Sequence, residues 1–221
     1  MRTGFFIAIV MTASRRIWDI SAPLNPRTAV YPGDTPFTQS WTATITPSCP
    51  VNVSTIALSP HAGTHADAPL HYDNQGLGMG EVALEPFIGA CRVIHAIACG
   101  RYITWQHLAH AITDDLPPRI LVRTYAQHPT GWNDAFSGFA PDTVQQLAAR
   151  GVQLIGLDTP SVDPMHTQGL DSHMVVRQHD LRILESLVLD DVPEGDYELI
   201  ALPLKLTHTD ASPVRAILRS L

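Results

Sequence analysis

The chain has 221 residues, enough for one substantial hydrophobic core in a single domain. Hydrophobic residues make up 45% of it and charged residues 16%, the proportions of a soluble globular protein. The formal net charge is -7, with no cluster of Lys and Arg, which argues against nucleic-acid and anionic-membrane partners.

Residues 4–11 are apolar but far short of a membrane span. Behind Arg2 they resemble a signal peptide with a short apolar region. The simpler reading makes Met11 the natural start. Residues 1–13 are then a disordered or adventitious extension, and residues 14–221 form one domain. Residues 17–20 predict a short strand. Pro23, Pro26, Pro32 and Pro36, with Gly33 and Asp34, predict an ordered loop with turns. Residues 41–46 alternate and are rich in β-formers, and residues 51–58 read as the next strand. Residues 92–97 form a strand-like apolar run between Cys91 and Cys99. With Cys49 these cysteines show no framework spacing, so they read as reduced thiols of a cytosolic protein.

Thr104 is placed to cap a short helix running through His110. Residues 120–124 read as a buried strand. The clearest helix covers residues 141–151, with Pro141 and Asp142 at its start and Gly151 at its end. A strand follows at 154–158, a second helix is expected from His179 to Leu187, and residues 199–202 and 214–218 are closing strands. A helix followed by a strand, with strands in excess, predicts an α/β class with a single β-rich domain.

The chemistry is concentrated in the stretch from His61 to His71, which reads His-Ala-Gly-Thr-His-Ala-Asp-Ala-Pro-Leu-His. Imidazoles and a carboxylate are the ligand set that suits zinc and similar divalent ions. On a helix, His61 with His65 and Asp67 with His71 would point in different directions. Gly63 and Pro69 also disfavour a helix interior. A fully extended strand would spread the ends about 33 Å apart, at roughly 3.3 Å per residue. A bent segment remains, turned at Gly63 and redirected at Pro69. No nucleophile elbow, phosphate loop or dinucleotide fingerprint competes with it.

The segment supplies four ligands at most. A second concentration of candidates runs through Asp158, Asp163, His166, Asp171, His173, His179, Asp180 and Glu185. Asp158 ends a buried strand, a common place for site residues in α/β folds. Glu185 falls on the expected second helix. Spacing alone does not choose among them.

The segment resembles the His-x-Gly-Thr-His-x-Asp-x-Pro-x-His signature of the bacterial kynurenine formamidases, within the wider metal-dependent cyclase family. Every fixed position matches. The resemblance extends from Trp18-Asp19-Ile20-Ser21 through Tyr31-Pro32-Gly33-Asp34-Thr35-Pro36, and resumes at Leu157-Asp158-Thr159-Pro160-Ser161. It continues from Gly195 to Lys205 and ends near Ala211-Ser212-Pro213-Val214-Arg215. It implies a swivelling β/β/α fold and a homodimer in the cytoplasm. It also implies two zinc ions per chain, with manganese or another divalent ion as the alternative. His61, His65 and Asp67 match ligands of one metal, with Asp67 bridging to a second. His173 matches a ligand of the second metal, and Glu185 a carboxylate that also bridges. His71 matches the acid/base histidine. Tyr31 stands where the family usually has a substrate-contacting tryptophan.

The implied reaction is hydrolysis of N-formyl-L-kynurenine, a small-molecule substrate, to L-kynurenine and formate in tryptophan breakdown. A divalent metal supplies activated water near neutral pH and polarises the formyl oxygen. The arylamine leaving group needs a proton, and an imidazole is the side chain suited to give it. Tyr31 would stack on the aniline ring. Two other readings are a cyclic-amide hydrolase of the isatin type on the same fold, and a metal-binding scaffold without catalysis.

Overall fold

The protein is described here by a computed structural model that covers residues 15–221. The expected N-terminal extension, with Met11 and the signal-like run, lies outside the described residues. The strands in chain order are β1 (Ile17–Asp19), β2 (Thr38–Ala43), β3 (Val53–Ala57), β4 (His65–Asp67), β5 (Ile88–His95), β6 (Tyr102–Ile103) and β7 (Arg119–Arg123). They continue as β8 (Gly138–Phe139), β9 (Leu154–Leu157), β10 (Arg182–Glu185), β11 (Gly195–Ile200), β12 (Ala211–Pro213) and β13 (Ile217–Ser220). The helices are α1 (Trp105–Leu108), α2 (Pro141–Ala148) and α3 (Asp171–His179).

One mixed sheet of nine strands organises the molecule, in the order β1-β13-β11-β5-β7-β9-β10-β4-β12. Its centre, β5-β7-β9-β10, is parallel, and the strands on either side of this centre pair antiparallel. The central strands β7, β9 and β10 are apolar runs with buried interiors, as parallel strands covered on both faces require. Alternation divides their side chains. Ile120, Val122, Ile155, Leu157 and Ile183 face one core with Val144 and Leu147 of α2 and Val176 of α3. Leu121, Leu154 and Leu184 face the other core, where the sheet curls to bring in Ile20, Phe87, Leu199 and Leu218. The α/β class with a single β-rich domain is therefore observed.

The helix expected over residues 179–187 is a misreading. The helix there is α3, and Arg182–Glu185 is the strand β10, wedged between β9 and β4. Four residues with charged ends do not distinguish a helical from a strand period, and pairing on both edges decides the outcome. The closing strand expected at 214–218 begins only at Ile217, as β13, and residues 214–216 connect it to β12 without strand pairing. The strands expected at 41–46 and 51–58 are β2 and β3, which pair with each other as a separate ribbon. Cys91 is buried, and burial pushes its thiol up to about 12, in keeping with an inert core thiol. No helix among the described residues is long and apolar enough to cross a membrane.

Candidate metal centre

The antiparallel pairing of β10 with β4 sets Glu185 opposite His65 and Ile183 opposite Asp67. Opposed residues share a face, so His65, Asp67 and Glu185 point together toward the side of the sheet that carries α3. Helix α3 delivers His173 on its buried side. His61 arrives from the turn before β4. Gly63 has φ +65 in that turn, the left-handed region that glycine occupies without strain. Pro69 then opens a short 3-10 turn that ends on His71. The segment is bent at the two residues expected to bend it.

The side chains converge. Asp67 Oδ1 lies 3.2 Å from His61 Nδ1 and 3.4 Å from His65 Nε2. Asp67 Oδ2 lies 3.6 Å from His173 Nε2, and Glu185 Oε2 lies 3.3 Å from His65 Nε2. His65, Asp67 and Glu185 offer ligand atoms within 4.8 Å of one another, and so do His61, Asp67 and His71. Asp67 is common to both groups. The ring of His71 lies over that of His61, centroids 4.3 Å apart.

Each imidazole is oriented from behind. The His65 Nδ1–H donates to Gly63 O at 2.8 Å, and the His173 Nδ1–H donates to Asp163 Oδ2 at 2.7 Å. The His61 Nε2–H donates to Asp210 Oδ2 at 3.0 Å. In each ring the other nitrogen is left facing Asp67, the arrangement by which outer hydrogen bonds fix metal ligands. Glu185 is held in turn by the Val162 N–H, which donates to Oε1 at 2.8 Å.

Among the described residues, the buried polar atoms without a hydrogen-bond partner include His65 Nε2, His173 Nε2 and both carboxylate oxygens of Asp67. Orphaned polar atoms are rare in protein interiors, and here they face one another. Two nitrogens and two oxygens converging in this way fit a divalent cation. The electrostatics agree. Burial opposes charge on the His65 ring, yet Asp67 and Glu185 outweigh it and raise its pKa to about 10. Burial likewise opposes charge on His173, and Asp163 and Asp67 raise it to about 10. Burial alone would raise Asp67, but His173, His61 and His65 hold it well below the usual carboxylate range. The cluster is built to stabilise positive charge.

The structure thus brings together His61, His65, Asp67, His71, His173 and Glu185. Asp163 belongs with them as the partner of His173. The other downstream candidates do not join. The Thr124 and Tyr125 N–H groups and the Thr124 hydroxyl donate to Asp158, which ties a loop to the end of β9 while burial pushes its carboxyl up to about 6. His179 bonds Gln145, and Asp180 pairs with Arg182. Two cations are tied up elsewhere: Arg123 donates to Tyr125 O and Ala126 O, and Arg177 pairs with Asp73. The sequence reading missed Asp210, whose Oδ2 contacts both His61 and His71, the latter at 3.6 Å. It lies far along the chain in a loop and carried no motif of its own.

Tyr31 is half exposed and packs edge-on against Trp132, centroids 5.4 Å apart, rather than on an imidazole. Trp132 lines a cleft of about 620 Å³, whose wall includes Gly63 and Ser186, each next to site residues.

A family model described as "Putative cyclase" matches residues 18–164. The chain is 60% identical over 214 residues to the kynurenine formamidase of Paracidovorax citrulli, covering 95% of this chain and 99% of that protein. It is 61% identical over 209 residues to the kynurenine formamidase of Bordetella pertussis, covering 94% and 99%. Among solved structures, a potential metal-dependent hydrolase with cyclase activity superposes with a TM-score of 0.81 at 28% identity, covering 94% of this chain and 99% of that one. Isatin hydrolase A from Labrenzia aggregata superposes with a TM-score of 0.77 at 24% identity, covering 93% and 94%, a likeness of fold alone.

Proposed function

The chain belongs to the cyclase family, and from that membership we propose that it hydrolyses N-formyl-L-kynurenine to L-kynurenine and formate. The observation that carries a metal-dependent hydrolysis is the buried set of unpartnered ligand atoms on His65, Asp67 and His173, beside the more accessible His71. The similarity to proteins named kynurenine formamidase supplies the substrate. His61 Nδ1, His65 Nε2 and Asp67 Oδ1 would hold one ion, Asp67 Oδ2 and His173 Nε2 the other, and Glu185, which faces His65, would be shared between them. Zinc suits this mix of nitrogen and oxygen donors, and manganese accepts a similar one. When bound, such ions supply activated water and polarise the formyl oxygen.

The chain's own residues do the rest. Asp163, Gly63 and Asp210 fix which nitrogen each histidine presents. His71 gives the departing arylamine its proton, since an amide nitrogen leaves poorly without one. Its ring is about one-third exposed, and its Nδ1 faces Asp210, so it can reach substrate while remaining oriented. Tyr31, with an exposed ring braced by Trp132, offers a stacking surface for the aniline. The enzyme is placed in the cytoplasm, in keeping with its free cysteines. Residues 14–221 act as the single catalytic domain, assembled as a homodimer. The exposed ribbon β2–β3 supports that assembly.

The test is an assay of N-formyl-L-kynurenine with and without chelator, followed by metal add-back, with isatin run beside it. Chelation should abolish turnover and zinc or manganese should restore it. Preference for isatin would move the protein to the cyclic-amide hydrolases. Bound metal with neither substrate hydrolysed would leave a scaffold.

A further inference from the structure

The cleft lined by Trp132 lies at the carboxyl ends of the central parallel strands. Tyr125 and His128 follow β7, Asp158 and Pro160 follow β9, and Ser186 follows β10. The crevice beyond the carboxyl ends of parallel strands is where α/β folds take small molecules. Its volume of about 620 Å³ falls in the range of ligand sites, roughly 300–1,000 Å³. Ser186 is the residue after Glu185, and Gly63 stands between His61 and His65. The cleft therefore borders the metal centre, although none of the proposed ligands lines it.

The facing wall is the turn at residues 22–29. The Arg27 N–H donates to Asn25 Oδ1 at 2.9 Å, and the Asn25 N–H donates to Thr28 Oγ1 at 2.8 Å. The turn is pinned to the site. The Ala22 N–H donates to Thr64 Oγ1 at 2.8 Å, and the Thr64 hydroxyl donates to Ser186 O at 2.6 Å. Leu24 packs so closely on Gly63 that a Cβ there would meet Leu24 Cδ2 at 2.8 Å. The backbone of Arg27 is thereby held in a fixed place relative to His65 and Glu185.

Arg27 is the one residue of permanent positive charge in the wall. Among the described residues its guanidinium has no ion-pair partner and no hydrogen bond, whereas Arg92, Arg177, Arg182, Arg215 and Arg219 each pair with a carboxylate. Asp158, the one acid in the wall, is occupied by the Thr124 and Tyr125 N–H groups and the Thr124 hydroxyl. Lys205 is likewise unpaired among the described residues but does not line the cleft. A guanidinium matches a carboxylate with two parallel N–H donors. N-formyl-L-kynurenine carries its formamide and its α-carboxylate at opposite ends, joined across the aniline ring. Tyr31 meets Trp132 edge-on, so an aniline stacked on Tyr31 has the cleft beside it.

We propose that the cleft receives the amino-acid end of the substrate and that Arg27 binds its α-carboxylate. The assignment rests on the formamidase reading of the site. The test compares two compounds on the zinc-loaded protein. One is N-formyl-L-kynurenine, and the other is N-formyl-2-aminoacetophenone, which keeps the formylated aniline and the ketone but lacks the amino acid. Arg27 is exposed, so Arg27→Gln disturbs no core packing. It should raise KM for N-formyl-L-kynurenine and lower kcat/KM about tenfold or more, the scale of a lost hydrogen bond between charged groups. Its kinetics on the shorter compound should match those of the unsubstituted protein, which also verifies the fold. Arg27→Lys, which keeps the charge without the planar fork, should recover part of the loss. Lys205→Gln should change neither reaction. If Arg27→Gln slows both compounds alike, or neither, the role of Arg27 is overturned while the formamidase reading stands. Selective loss on N-formyl-L-kynurenine in Lys205→Gln alone would overturn it in the same way. An unsubstituted protein that hydrolyses neither compound removes the formamidase reading, and the carboxylate subsite with it.

Discussion

At the scale of the residue, the cluster divides into buried side chains proposed to hold metal and the more open His71, proposed to move a proton. Asp67 would be shared by both proposed ions, its two oxygens facing His61 and His65 on one side and His173 on the other. Asp67→Ala should therefore lose bound metal outright, as elemental analysis of the purified variant would show. A variant that keeps two ions per chain would contradict the bridging role. His71 stands at the open side, so His71→Ala should keep its metal and lose about 10²-fold or more in kcat, the usual range for acid/base catalysis. Unchanged turnover in that variant would end the assignment. The candidate segment His61–His71 was legible in the sequence because its residues are local, and Gly63 and Pro69 advertise the bend. Asp163 stood in a crowd of downstream acids. Asp210 was invisible, since only the pairing of β12 with β4 brings its neighbourhood to His61.

At the scale of the element, β10 explains why the second half of the site was hard to read. Its charged ends, Arg182 and Glu185, suggest a helix surface, yet both are buried. Arg182 is paired with Asp180, and Glu185 faces His65 and the Val162 N–H. A buried carboxylate on a central strand breaks the apolar pattern by which such strands are recognised. The neighbouring strand β9 shows the opposite constraint. A Cβ at Gly156 would meet Leu121 Cδ2 at 2.6 Å, Leu187 Cδ1 at 3.1 Å and Leu184 Cβ at 3.3 Å. Leu184 precedes Glu185, so the close approach of β9 and β10 sets where the carboxylate stands. Gly156→Ala should cost about 1–3 kcal/mol, as overpacking of a filled core does. For a chain of this size that is roughly 2–4 °C in Tm per kcal/mol, read by thermal unfolding. An unchanged Tm would show that the strands can part to admit a methyl group.

At the scale of the whole molecule, α/β class and β-richness were legible because buried apolar runs separated by turns survive any error in their boundaries. The position of the ribbon was not, since period-2 alternation reports a strand and not what covers it. The electrostatics of the site also act on the whole molecule, through linkage between protons, metal and folding. His65 and His173 bind a proton more tightly folded than unfolded, with pKa values raised to about 10. The stability this contributes without metal is fully present below about 6.5, the ordinary imidazole value, and is lost as pH rises through about 10. Zinc must displace those same protons, so its affinity strengthens as pH rises. A ligand that binds only the folded state stabilises it in proportion to the logarithm of its concentration over its Kd. The increment in Tm given by zinc over chelator-treated protein should therefore widen from pH 6.5 to 9. Calorimetry at fixed free zinc would measure it, and an increment that stays flat or shrinks across that range would mean that the protons on these rings and the metal do not compete for the same site.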